Sequence, residues 1–219
     1  MAVSSLYPIP LRTHLLTPGE DLKEVVVRYT GRIAKPGDII AIAETVVAIT
    51  QGRMYLPEEI RPGPLARFLS RFPGKGGNLT SPPAMEVAIR QVGVFRILLG
   101  ALVAGIGKLI GKRGLFFYVT GPKVRSIDDV SGTAPPFERY IIAGPEEPDR
   151  LAEEIRQATG LRVLITDVND LGCVNILGQS QGFDQQELAQ CMAALRSNPF
   201  GNADEQTPFV LLRKGEAGA

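Results

Sequence analysis

Histidine and cysteine are nearly absent. Among 219 residues there is one histidine, His14, two cysteines, Cys173 and Cys191, and no tryptophan. No CxxC pair, HExxH helix or His/Cys cluster can be assembled from so few, which excludes the usual zinc sites. A Ser-His-Asp or Cys-His arrangement would have to use His14, and no nucleophile stands near it in sequence. The two cysteines read as reduced thiols at or near a core. Any metal would therefore be a hard cation held by oxygen. An excess of one charge is lacking too. Lys and Arg number 24 against 23 Asp and Glu, a net charge of +1 with both signs spread along the chain. That argues against a nucleic-acid binder driven by bulk electrostatics, and no nucleic-acid partner is expected.

Long apolar runs are scarce. The start, MAVSSLYPIPLRTHLL, has neither a charged leader nor an uninterrupted apolar stretch, so no cleavable signal is expected and the cytoplasm is the expected location. The one suspicious segment, Val92 to Gly111, is uninterrupted only from Ile97 to Gly107. A spanning helix needs about twenty apolar residues, and extending this one brings in Arg96 and Lys108. No integral membrane span is expected. The segment reads as a helix that is buried, covered by a partner or, alternatively, in peripheral contact with a membrane.

What is present is a mixture of helical and strand signals. Thr17-Pro18-Gly19-Glu20 fits a capping box ahead of DLKEVVVRYTGR. Ile39 to Ala43 is short, apolar and isoleucine-rich, hence a buried strand, and the β-branched Thr45 to Ile49 reads as a second extended piece. Prolines and glycines between Pro57 and Pro83 limit helices to short ones such as Leu65 to Arg71. Ala84 to Val92 reads as helix, and LFFYVT (Leu115 to Thr120) and Arg139 to Ala143 as strands. Pro148 opens a helix with an apolar face of Leu151, Ala152, Ile155 and Ala158, closed by Gly160. LRVLIT then runs as a buried strand into Asp167-Val168-Asn169-Asp170. Cys173 to Leu177 and Phe209 to Arg213 read as strands, and Gln185 to Arg196 as a helix. The class is mixed α and β, one domain over 1–219 with a possible interleaved subdomain around 57–145. Roughly 70% of the unfolded surface of such a chain can be buried without a disulfide or metal.

Several motifs carry chemistry. An aspartate at the carboxyl end of a buried strand is a common cation ligand, and Asp167, Asn169 and Asp170 offer oxygens for Mg²⁺ or Mn²⁺. The same residues can instead form an Asx-turn. Asp128 and Asp129, after Ser126-Ile127, are a second acidic pair or a solvated turn. Pro73 to Asn78 and Gly107 to Gly114 mix glycine with lysine and could cradle phosphate. Neither has the spacing GxxxxGK[ST], so a Walker-type NTPase is excluded, and no GxGxxG occurs. Glu44, at the end of an apolar strand, is either a functional acid or a solvated one.

Taken together, PGDIIAIAETVVAITQGR, a central Ile-Asp, GLRVLITDVND and an EQTP-plus-strand ending resemble the coenzyme F(420)-0:γ-glutamyl ligase family, and the resemblance spans Ile9 to Arg213. It implies an α+β fold, an intertwined homodimer and an amide-forming ligase of coenzyme F(420) biosynthesis. In that family GTP phosphorylates a small-molecule carboxylate, the amine of L-glutamate attacks the acyl phosphate, and Mg²⁺ or Mn²⁺ supports the transfer. GTP or ATP is thus the implied co-substrate. Carried over by position, the metal aspartates fall on Asp128 and Asp167. The nucleotide contacts fall on Ile9, Pro10, Leu11 and Arg12, and on Glu44 and Thr45. The late loop touching nucleotide and metal falls on Gly201 through Thr207, with Gly201 and Asn202 at the nucleotide and Asp204 or Glu205 as the acid. Three positions depart from the family pattern: Val168 stands where a threonine is usual, Asp170-Leu171 replaces Gly-Arg, and Ile49 replaces a lysine. Their loss is expected to weaken binding of a triphosphate. A catalytically silent ligand-binding or assembly protein of the same fold is the alternative.

Overall fold

The computed structural model describes residues 6–73, 78–130, 135–201 and 205–215. In chain order its first elements are β1 (Leu6–Leu11), α1 (Leu22–Thr30), β2 (Ile39–Ala43), α2 (Glu44–Thr50), β3 (Met54–Tyr55), α3 (Pro64–Leu69), α4 (Pro82–Val92) and α5 (Val94–Leu109). There follow α6 (Leu115–Thr120), α7 (Pro122–Arg125), β4 (Ile141–Ile142), α8 (Pro148–Thr159), β5 (Arg162–Val168), β6 (Val174–Gln179), α9 (Gln185–Leu195) and β7 (Phe209–Lys214). The fold is α+β. It divides into two compact units, one built from Met1–Gly52 with Glu146–Ala219 and the other from Arg53–Pro145.

The first unit is a five-stranded mixed sheet in the order β1-β7-β2-β5-β6. Strand β2 runs parallel to β5 and antiparallel to β7, while β1 is antiparallel to β7 and β6 antiparallel to β5. The near-continuous apolar runs IIAIA and VLI follow from burial on both faces of the sheet. On one face Ile40, Ile42, Ile165 and Phe209 pack with Val25 and Val26 of α1, Val47 of α2 and Ile155 of α8. On the other, Ile39, Ala41, Leu164 and Val210 meet Cys191 and Leu195 of α9. The ordinary thiol pKa of Cys191 is pushed up to about 12 by this burial, so it is an inert core thiol.

The second unit packs α3, α4, α5 and α7 around Met85, Val87, Ile97, Val124 and Ile127 against the two-stranded β3-β4 sheet. Charge is divided between the units. Residues 53–145 hold thirteen Lys and Arg against six Asp and Glu, a net +7, which leaves −6 for the remainder. The net +1 thus hides a division already present in the sequence, because the cationic unit is one continuous segment, and the expected even spread of both signs does not hold.

Two extended segments expected from β-propensity are helical. Thr45 to Ile49 belong to α2, where Val47 joins the sheet core and Ile49 is buried. The helix cost of a β-branched residue is only a few tenths of a kcal/mol, less than such burial returns. LFFYVT is α6, bounded by Gly114 and Gly121 at positive φ, with the Thr120 hydroxyl donating back to the Phe116 carbonyl (2.9 Å). The expected capping box also resolves differently. The Glu20 carboxylate does accept the Thr17 N–H (2.6 Å), but α1 starts one turn later, capped by Asp21, which accepts the Lys23 N–H (2.9 Å).

Candidate functional site

Strands β1, β2 and β5 point the same way, because β1 and β2 each run antiparallel to β7 and β5 is parallel to β2. Their carboxyl ends therefore share one end of the sheet with the start of β7. Leu11, Phe209, Ile42 and Ile165 form one paired row across it. One to three residues past that row lie Arg12, Glu44, Thr45 and Asp167, from segments far apart in sequence. Loops outside strand carboxyl ends are where open α/β sheets hold ligands.

The late loop is tied to the same end. Ala43 donates its N–H to the Pro208 carbonyl (3.0 Å) and Thr13 donates to that of Gln206 (2.8 Å), while the Thr207 hydroxyl donates to the Phe200 carbonyl (2.6 Å). Gly201 has φ 74°, a conformation that strains any side chain, and a Cβ there would lie 2.6 Å from the Glu205 carboxylate carbon, so that flexible side chain would have to move. Asn202 and Asp204 lie outside the described residues.

The side chains divide by what they can offer. Leu11 is committed to the core, Ile9 is half-buried, and Pro10 and Arg12 are exposed, which leaves the Arg12 guanidinium as the cation of that strand end. Glu44, the first residue of α2, is 7% exposed. Asp167 is half-buried near the end of β5 and accepts the Asn175 side-chain N–H on Oδ2 (3.1 Å). The side chains of Asn169 and Asp170 are engaged elsewhere. Asn169 Oδ1 accepts the N–H groups of Leu171 and Cys173, both at 3.1 Å, which is the Asx-turn, and Asp170 accepts from Asn198 (3.1 Å). Beside Asp167, the Thr166 hydroxyl is 1% exposed and has no hydrogen-bond partner among the described residues.

The Asp128-Asp129 pair belongs to the second unit and splits into two roles. Asp129 is a structural acid. Its oxygens accept Ser81 N–H (2.8 Å), Ser81 Oγ (2.6 Å), Thr80 Oγ1 (3.2 Å) and Val130 N–H (2.9 Å), anchoring the start of α4. Asp128 bridges Ile142 through the backbone, with N–H···O distances of 2.9 and 3.0 Å, and its side chain is half-buried. Among the described residues no group of three or more His, Cys, Asp or Glu is placed to hold a metal ion. The oxygen donors suit a hard cation in kind. Of the glycine-lysine segments, Gly107 and Lys108 lie inside α5 while 110–114 form the exposed turn that follows it, and 74–77 lie outside the described residues.

His14 is a structural group. Its Nδ1 pairs with the Tyr29 hydroxyl (2.8 Å) and its Nε2 with Glu20 Oε2 (2.7 Å), and that hydrogen bond holds the Glu20 carboxyl below its usual range.

Residues 10–169, which contain three of the four segments at this sheet end, match the sequence model of the family described as F420-0:gamma-glutamyl ligase. The chain belongs to the F420-0:gamma-glutamyl ligase family. It is similar to the coenzyme F420:L-glutamate ligase of Methanopyrus kandleri, with 26% identity over 239 aligned residues, covering 94% of this chain and 85% of that one. The enzyme of the same name from Methanothermobacter thermautotrophicus is 27% identical over 232 residues, covering 91% and 84%. Two of the departures noted in the sequence sit in packed positions. Ile49 is buried within α2, and Val168 packs toward α9, whereas Leu171 stands exposed in the β5–β6 turn. Asn175 and Thr166 went unnoticed in the sequence. The Asp167↔Asn175 pairing depends on a register shift in β5 that no spacing rule contains.

Proposed function

We propose that the chain is an amide-forming ligase that joins the amino group of L-glutamate to a small-molecule carboxylate, with GTP or ATP as the activating nucleotide. The single observation that carries this is the convergence of Arg12, Glu44-Thr45, Asp167 and the Glu205 loop on one sheet end, within a chain of the gamma-glutamyl ligase family. In the reaction a carboxylate oxygen attacks the γ-phosphorus and the nucleoside diphosphate leaves. The glutamate amine then attacks the acyl carbon, forming the C–N bond as the C–O bond to phosphate breaks and the amine gives up a proton. Charge on the transferred phosphoryl group must be neutralised throughout. Arg12 is the side chain suited to phosphate oxygens. The backbone of Pro10 and Leu11 gives that arginine a rigid base.

Asp167 is the residue proposed to hold Mg²⁺ or Mn²⁺, which would add positive charge beside the phosphates. Glu205 of the same unit is the second acid proposed for it, and Asp128 of the other unit is proposed as a metal ligand on the family resemblance. Glu44 and Thr45, with the backbone of Gly201 and Asn202, are proposed to meet the nucleotide.

The test is calorimetric titration of the protein with GTP and with ATP, each with and without Mn²⁺, followed by assay for glutamate-dependent phosphate release with candidate acids. Metal-dependent nucleotide binding that disappears in Asp167→Asn supports the reading. The part of Asp128 is read by Asp128→Asn in the same titration. Ile49 and Val168 favour a second reading, a ligand-binding or assembly protein of this fold, because neither supplies the cation or hydroxyl that the resemblance calls for. An absence of nucleotide binding at millimolar concentration would overturn the ligase and leave that second reading.

A further inference from the structure

Strand β6 is an outer strand of the five-stranded sheet, and it carries one residue more than its partner β5 can match. Leu164 pairs with Gln179 and Ile165 with Gly178, but Thr166 pairs with Ile176 and Asp167 with Asn175, so Leu177 is the extra residue of a bulge. In an uninterrupted register Ile176 would stand opposite Asp167. The bulge replaces that apolar neighbour with an amide. Bulges re-aim side chains in this way and are common at sheet edges and beside active sites.

Contacts with α8 fix β6 on the far side of the bulge. Gly178 lies against the first turn of α8, where a Cβ would be 2.5 Å from the Pro148 carbonyl carbon and 2.6 Å from the Pro148 Cβ. The Gln179 N–H donates to Asp149 Oδ1 (2.9 Å) and the Gln181 N–H to Glu153 Oε2 (3.1 Å). On the near side Asn175 is exposed, and its Nδ2 donates to Asp167 Oδ2 (3.1 Å). A carboxylate can only accept, so the amide nitrogen and not the amide oxygen faces it. Among the described residues this is the one hydrogen bond to the Asp167 carboxylate.

That contact has the chemistry a cation ligand needs beside it. It restrains rotation of the carboxylate and engages Oδ2, leaving Oδ1 as the oxygen to offer. The donor is also neutral. A lysine or arginine at 175 would hold the carboxylate equally well, but its charge would repel an incoming cation. Carboxylates that bind metals are themselves held by hydrogen bonds of this kind, and losing one weakens metal binding about 10–100-fold.

We propose that Asn175 is a positioning residue for Asp167, holding one carboxylate oxygen so that the other is set for a divalent cation. This rests on the reading of Asp167 as a metal aspartate and deepens it by naming the side chain that orients it.

The experiment is titration of the full chain with Mn²⁺, read from the electron paramagnetic resonance signal of the free ion, in the parent, Asp167→Asn, Asn175→Ala and Asn175→Gln. The parent should bind Mn²⁺ and Asp167→Asn should lose that binding. Asn175→Ala should weaken it about tenfold or more. Asn175→Gln, which keeps the donor on a longer stem, should recover most of the loss. Position 175 is exposed on an outer strand, so the metal-free thermal midpoint should be the same in the parent and both Asn175 variants. A residue serving the fold alone would move the midpoint and leave Mn²⁺ affinity unchanged. If the alanine variant is unstable, Asn175→Val gives the same reading with a strand-favouring residue that has no donor. Equal Mn²⁺ affinity in the parent and the donor-less variant, with binding still lost in Asp167→Asn, would overturn the role of Asn175 and leave the ligase reading standing. Binding that survives Asp167→Asn, or no binding by the parent, would overturn this proposal together with the metal role of Asp167.

Discussion

Neighbouring acids can hold opposite roles, and Asp128 and Asp129 show why the distinction lies in hydrogen-bond partners. Asp129 satisfies three groups at the start of α4, including the N–H and hydroxyl of Ser81, which itself caps the helix through Ala84. Asp129→Ala leaves those donors without their acceptor and should lower stability by about 1–3 kcal/mol in urea unfolding. Asp128→Asn keeps the backbone bridge to Ile142 and should unfold within about 0.5 kcal/mol of the parent. Ile49 supplies a second contrast. A lysine there would restore the residue implied by the family pattern, yet the position is 2% exposed on α2. Ile49→Lys should therefore cost about 3 kcal/mol or more by burying a charge, read as a lower denaturation midpoint, without a gain in nucleotide binding. The acid pair was visible in the sequence. The division of labour within it was not, because it depends on Thr80 and Ser81, some fifty residues upstream.

Among the elements, the entry of β2 and the end of β7 are joined by one buried ion pair. Arg213 donates from Nε to Asp38 Oδ1 (2.9 Å) and from Nη2 to Asp38 Oδ2 (2.7 Å), and the Lys35 N–H adds a third bond (2.8 Å). Burial alone would raise the Asp38 carboxyl, but the Arg213 fork and the Lys35 amide outweigh it and hold it below its usual value of 3.8. A carboxyl depressed by folding contributes stability that is complete above about pH 4 and is lost as the pH falls through the folded value. Arg213→Met removes the partner and leaves a buried carboxylate, at a cost of about 3–5 kcal/mol. Because the unpaired carboxyl would titrate above its usual value, that deficit should be largest near neutrality and shrink toward pH 3. Urea midpoints of parent and variant across that range provide the check. The strands themselves were readable as apolar runs, and α8 as an apolar face between Pro148 and Gly160. The helical state of LFFYVT was not, because the packing of Phe116 and Phe117 on the second core decides it.

For the molecule as a whole, segregation of charge matters more than the net +1. Thirteen cations against six acids in residues 53–145 repel one another at low ionic strength. Raising NaCl from about 0.01 to 0.15 M, which shortens the Debye length from about 30 to 8 Å, should raise the thermal midpoint. The gain should be smaller in Lys112→Glu/Arg113→Glu, and differential scanning calorimetry measures both.

Composition, local pattern and family motifs by themselves determined the mixed α+β class, the exclusion of zinc and Walker chemistry, the buried strands β2 and β5, and membership of a ligase family. These are properties of short windows, where side-chain volume, periodicity and turn chemistry act on near neighbours. The tertiary structure alone decided which ends of β1, β2 and β5 coincide, that Asn169 serves its own turn while Asp167 faces Asn175, and that α5 turns Gly100 and Gly107 inward. Those outcomes depend on strand direction, register and close approach between segments distant in the chain, which no local window contains.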